Sequence, residues 1–148
     1  MKELADKRSF VATSAALLAG ALLGSNAQAA DPKLKPNRLV IQVSDNDPGK
    51  WNLALNNAQN LITELGADTV AIEIVVYGPG IGMLKNGSPV AARIAGAVKG
   101  GMQIVACENT LTAQKLTRAD MLPEIGYVPA GVVELMRKQQ QGYAYIRP

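Results

Sequence analysis

Three short apolar runs limit most strongly what this 148-residue chain can become: residues 38–43 (RLVIQV), 69–76 (TVAIEIVV) and 102–106 (MQIVA). Each is rich in β-branched residues and, apart from Gln42, Glu73 and Gln103, lacks the polar alternation of a strand with one wet face. Runs of this kind belong to strands covered on both sides, as in parallel sheets. Between them, apolar residues recur every three or four positions, which is the period of a helix. Parallel strands need long crossovers, and a helix is the usual one.

The helices carry their own punctuation. Asp47 is placed to cap a helix that Pro48 opens; Trp51, Leu55, Ala58, Ile62 and Leu65 form its buried face, and Gly66 ends it. Ser88 and Pro89 predict the next start, with Val90, Ile94, Ala97 and Val98 inward and Gly100 and Gly101 as the stop. After the third strand, residues 111–116 read as a short helix, and Thr117 with Asp120 as a variant capping box. Residues 127–129 read as a short strand. Residues 132–141 form an amphipathic helix with Val132, Val133, Leu135 and Met136 inward, and residues 143–146 a last strand. The order βαβαβαβαβ predicts an α/β fold: a three-layer α/β/α domain with a mostly parallel five-stranded sheet.

Two segments need separate explanations. Glu73 interrupts the second strand, which implies an edge position or a buried partner, or else a carboxylate facing a neighbouring subunit. Residues 77–82 (YGPGIG) form a glycine-rich loop. They match neither the dinucleotide fingerprint nor a P-loop, so a tight turn with close backbone approach is the expectation.

The amino terminus reads as a targeting segment. Lys2, Lys7 and Arg8 precede a mostly apolar stretch over 10–23, and Ala27-Gln28-Ala29 forms an A-x-A cleavage pattern. The apolar stretch is shorter than the roughly 18 residues of a membrane span. Residues 1–29 are therefore expected to be a signal peptide cleaved near Ala29 and Ala30. That leaves a single domain over 30–148, exported or periplasmic and free of the membrane. KRSFV at 7–11 resembles a twin-arginine signal with lysine in first place, so both general and folded-state export fit.

Removing the leader leaves twelve basic and ten acidic residues, a net charge of about +2. With one Trp and one Phe in the whole chain, neither charge nor stacking argues for nucleic acid. The absence of histidine excludes Ser-His-Asp and Cys-His catalysis and histidine metal sites; a single cysteine excludes an internal disulfide or a cysteine zinc site. No metal or cofactor is expected. Asp45, Asp47 and Glu108 fall near strand ends but have no histidine to complete an acid–base pair.

Attention therefore falls on residues 101–111 (GMQIVACENTL), where an apolar strand delivers Cys107 to its carboxyl end just before a helix. In open α/β sheets ligands bind at that end. Unpaired helix N–H groups favour thiolate over thiol there. Asn109 and Thr110 are candidates either to orient the sulfur or simply to cap the helix. The alternative for Cys107 itself is core filler, because cysteine packs as a small hydrophobe.

The blocks VIQVSDND, VVYGPGIGML and GMQIVACENTL resemble the DsrE/DsrF-like (YchN-like) family, which includes TusD-type sulfur-relay subunits, and the resemblance spans residues 38–148. It implies the YchN-like fold and assembly into trimers or hexamers. It also implies that Cys107 accepts a sulfane sulfur as a persulfide, exchanged with a donor or acceptor thiol protein, with Asn109 and Thr110 beside it. Two other functions fit the same residues: a noncatalytic oligomeric binding module, and a thiol redox sensor that forms disulfides between subunits.

Overall fold

The structure, a computed structural model, describes residues 34–148; the expected signal peptide lies outside them. Five strands, β1 (Asn37–Val43), β2 (Val70–Val76), β3 (Gln103–Cys107), β4 (Gly126–Val128) and β5 (Ala144–Ile146), form one sheet in the order β4-β3-β2-β1-β5. Every pairing is parallel. Four helices connect them: α1 (Pro48–Leu65), α2 (Ala91–Lys99), α3 (Glu108–Ala113) and α4 (Gly131–Gln140). The fold is the α/β arrangement expected from the sequence.

The strand order decides which face each helix covers. From β1 to β4 the chain steps repeatedly in one direction, so right-handed crossovers put α1, α2 and α3 on one face. From β4 it returns across the sheet to β5, and the same handedness sends α4 to the opposite face. The packing agrees. Ile41, Ile74, Ile104 and Ala106 meet Leu55, Ile94 and Leu111 in the large core, whereas Val40, Val75 and Val105 meet Leu135 of α4 in a small one. Alternate residues of each strand thus serve different layers.

Local signals explain most of the helix limits. Asp47 Oδ1 accepts from the N–H groups of Gly49 (2.8 Å) and Lys50 (3.4 Å), and Pro48 follows it. The Thr117–Asp120 capping box forms around a short 3-10 turn, Arg118–Asp120. Two starts differ from expectation. Helix α2 begins at Ala91, because Ser88 and Pro89 are taken up by a preceding turn in which Ser88 Oγ accepts from the Val90 N–H (3.4 Å). Helix α3 begins at Glu108 and not at Leu111, so Cys107 is itself the N-cap residue.

The glycine-rich segment is a 3-10 helix, Gly78–Leu84. A Cβ on Gly80 would lie 2.7 Å from the Val43 carbonyl oxygen, so glycine at that position lets the segment close against the end of β1. Helix α4 also departs from its simple amphipathic reading. Leu135 is buried, but Val132 and Met136 are 63 % and 50 % exposed, because one helix cannot cover a five-stranded face and its flanks stay open.

Glu73 lies on β2, the central strand, and is 3 % exposed. Of the alternatives for it, the buried partner is the one found: Lys138 Nζ on α4 lies 2.7 Å from Glu73 Oε2 and 3.7 Å from Glu134 Oε1.

Candidate functional site

Neighbouring strands β3 and β4 send their outgoing connections to opposite faces of the sheet, α3 to one and α4 to the other. Such a switch in direction opens a gap at the carboxyl ends of the two strands, and ligands in open α/β sheets bind in gaps of this kind. Cys107 ends β3 at this point. Opposite it, Val128 ends β4 and leads through Pro129 and Ala130 into α4. Since Cys107 shares strand parity with Val105, its side chain belongs to the α4 face.

Burial pushes the Cys107 thiol up, but four hydrogen-bond contributions oppose it and the net direction is down. In decreasing order they come from the Thr110 hydroxyl and the backbone N–H groups of Gly131, Thr110 and Asn109. The first is oriented by its surroundings: Thr110 Oγ1 accepts from the Gly78 N–H (2.9 Å), which leaves its proton free to turn toward sulfur. Asn109 acts through its backbone, and its N–H is directed mainly at the Pro129 carbonyl oxygen (3.1 Å), so its contribution is the smallest. Its side chain points into solvent-exposed surroundings. The sulfur is also 3.9 Å from the Pro129 carbonyl, the acceptor for the thiol proton when one is present.

Gly131 is the residue that sequence reasoning missed. It is the first residue of α4, and its backbone N–H helps lower the thiol pKa from the far side of the gap. A side chain there would be tight, since a Cβ would lie 3.0 Å from the Tyr77 ring, which would have to give by a few tenths of an ångström. The usable signal was a glycine immediately before an amphipathic run and after a β-strand. Between the starts of α3 and α4, the sulfur is bounded by Thr110, Pro129 and Gly131, and Cys107 as a residue is 5 % exposed. This arrangement can hold negative charge on sulfur just below the surface.

The acidic residues near the strand ends are otherwise engaged. Asp45 is held below the usual carboxylate range by hydrogen bonds from Lys50 and Arg147, with contacts of 3.1 and 3.2 Å. Asp47 caps α1, and Glu108 pairs with Arg118, which also stacks on Tyr127. Among the described residues no cluster of His, Cys, Asp or Glu could hold a metal ion. A groove of about 490 Å³ runs along α4 beside Tyr77, Leu135, Met136 and Tyr145, but Cys107 does not line it. A groove of equal volume between α1 and α2 lies away from the sulfur altogether.

The fold and site define a small α/β protein whose parallel sheet carries one cysteine at its switch point. Residues 37–148 match the model of the DsrE/DsrF-like family, and the chain belongs to that family. Among solved structures it is similar to MTH1491, a protein of unknown function from Methanobacterium thermoautotrophicum. The two are 32 % identical, with 76 % of this chain and 99 % of that one covered and a TM-score of 0.72. It is also similar in fold to the ychN protein from E. coli, at 11 % identity, the same coverage and a TM-score of 0.61. No curated protein matches the chain.

Proposed function

We propose that this protein is an exported carrier of sulfane sulfur, with Cys107 as the atom that is loaded. The Cys107 thiolate attacks the outer sulfur of a donor persulfide, R–S–SH. A new S–S bond forms, the donor's S–S bond breaks, and the donor leaves as its thiolate. A second thiolate then takes the outer sulfur and releases Cys107 as thiolate, so no external oxidant is needed. The observation that carries this reading is the place of Cys107 at the switch point, as the N-cap of α3 opposite the start of α4, where hydrogen bonding from Thr110 and Gly131 lowers its pKa despite burial. Thiolate is the reacting form, and a persulfide anion gains from the same donors.

Cleavage near Ala29 puts the carrier outside the cytoplasm, where its donor and acceptor are thiol proteins. We further propose that it assembles with itself as a trimer or hexamer through the α4 face. The exposed Val132, Met136 and Tyr145 beside an open groove support that reading. One observation favours the noncatalytic binding module instead: Cys107 is 5 % exposed.

Native mass spectrometry of the exported protein before and after a polysulfide donor separates the two and also reports the assembly. Carriage predicts the mass of one or more sulfur atoms per chain, removed by a small thiol and absent in Cys107→Ser. Sulfur that takes up no adduct, and a thiol that alkylates only in denaturant, would overturn it.

A further inference from the structure

The opposite end of β3 carries a second set of charged groups, about 13 Å along the strand from Cys107 at the usual rise per residue. Here a groove of about 330 Å³ lies between α4 and the starts of β3 and β4, with Glu73, Lys138 and Glu124 among its lining residues. Glu73 Oε2 is taken by Lys138, but Glu73 Oε1 is buried and has no hydrogen-bond partner among the described residues. An acceptor withdrawn from water with no donor is an uncommon arrangement in a folded protein. The charges that line the groove leave it acidic: Glu73 and Glu124 against one lining cation, Lys138, which Glu134 also engages. Arg38, on the same sheet face, lies over the Tyr143 ring and does not line the groove. Val98, Met102, Ile104 and Val105 add hydrocarbon to its wall, and Gln103, the cross-strand partner of Glu73, adds one neutral amide that gives Oε1 no hydrogen bond. A buried carboxylate oxygen in an acidic, partly apolar groove favours a donor that is positively charged and carried on an aliphatic stem.

We propose that this groove binds an organic cation, an alkylammonium or alkylguanidinium group that donates an N–H to Glu73 Oε1 and lays its stem along Met102 and Val105. The site is independent of sulfur carriage, since no residue of the thiol site lines it. The cation can belong to a free small molecule or to a Lys or Arg side chain of a second copy of the chain.

Titration of the full chain with agmatine, followed by the amide NMR signals of Glu73, Val105 and Gly126, tests the chemistry. Saturable shifts are expected, weakened about tenfold in Glu73→Gln through loss of a charge-assisted hydrogen bond. In Glu124→Gln, which changes only the rim, a smaller weakening is expected, and this variant keeps the test valid should Glu73→Gln fail to fold. If the cation comes from a second copy, agmatine and Glu73→Gln both shift the native mass toward the monomer. A chain that shows no saturable shift and no change of assembly with either would overturn the proposal, as would agmatine binding that is unchanged in both variants.

Discussion

The two faces of the sheet divide the work of this protein. On one face α1, α2 and α3 cover Ile41, Ile74, Ile104 and Ala106 with hydrocarbon, and the alternate strand positions there hold no charged residue. On the other, a single helix covers only the middle, and the same alternation brings up Arg38, Gln42, Glu73, Gln103 and Cys107. The strand order produces this asymmetry: three crossovers in one direction clothe one side, and one return crossover leaves the other partly open. A complete cover supplies stability, whereas an incomplete one leaves room for a thiol, an ion pair and two grooves.

The sharpest break of that comparison comes from the covered face. Ile74→Ala removes a fully buried side chain from the central strand and should cost about 4 kcal/mol, as cavity-forming core substitutions do. Chemical denaturation would record it, and a loss comparable to that of a surface change would mean this face is not the main source of stability.

On the α4 face the largest effect should follow from Lys138→Met. Burial raises the Glu73 carboxyl, while the Lys138 ammonium 2.7 Å away lowers it. Lys138 itself is pushed down by burial, but Glu73, Tyr143 and Glu134 together move it up on balance, and its ammonium is the partner of the Glu73 carboxyl. Glu134, on the same helix, adds like charge on Glu73, and the Tyr143 ring faces Lys138. Removing the cation leaves a buried carboxylate unpaired, at a cost of about 3 kcal/mol. The sign with pH is set by the carboxyl. Because its folded pKa is raised, the folded state holds the proton more tightly than the unfolded state. The stability deficit of Lys138→Met should therefore grow from acid to neutral pH and be reduced in the Glu73→Gln, Lys138→Met double variant. Denaturation midpoints measured against pH check both statements.

At the thiol the expected change is smaller and is read by reactivity. Thr110→Val deletes the hydroxyl next to the sulfur and leaves the Gly78 N–H without its acceptor. Losing one such hydrogen bond is worth about 1 kcal/mol, so the thiol pKa should rise. Native-state alkylation would then reach its plateau at higher pH than in the wild type. Since the thiol pKa is lowered on folding, its contribution to stability is present above the unfolded value and is lost as pH falls through the folded one. Thr110→Val should flatten that dependence. An unchanged alkylation profile would remove Thr110 from the site.

Much of this layout was legible before any coordinates. Apolar runs with a helical period between them specify strands, helices and a parallel sheet, and Cys107 could be placed at a strand end from its neighbours alone. What resisted was long-range. Nothing local tells that β4 is followed by a return across the sheet, so neither the switch point beside Cys107 nor the approach of Gly131, 24 positions further along, could be read. Glu73 was recognised as out of place, but its partner is 65 residues away on α4. Val132 and Met136 had the periodicity of buried residues. Only the tertiary arrangement, one helix across a wide sheet, decides that they are exposed.

Those two residues give the smallest effect on folding and the clearest test of what the open face is for. Val132→Ser with Met136→Ser removes apolar surface that is already in contact with water, so the denaturation midpoint of the isolated chain should stay within about 0.5 kcal/mol of the wild type per substitution. An assembly surface answers differently, because apolar residues at the centre of an interface contribute far more to association than to the fold of one subunit. The double variant should therefore keep its circular dichroism and lose its native oligomer mass. If the mass does not change, the α4 flank is not the contact between copies, and the asymmetry of the two faces would have to serve the grooves and the thiol alone.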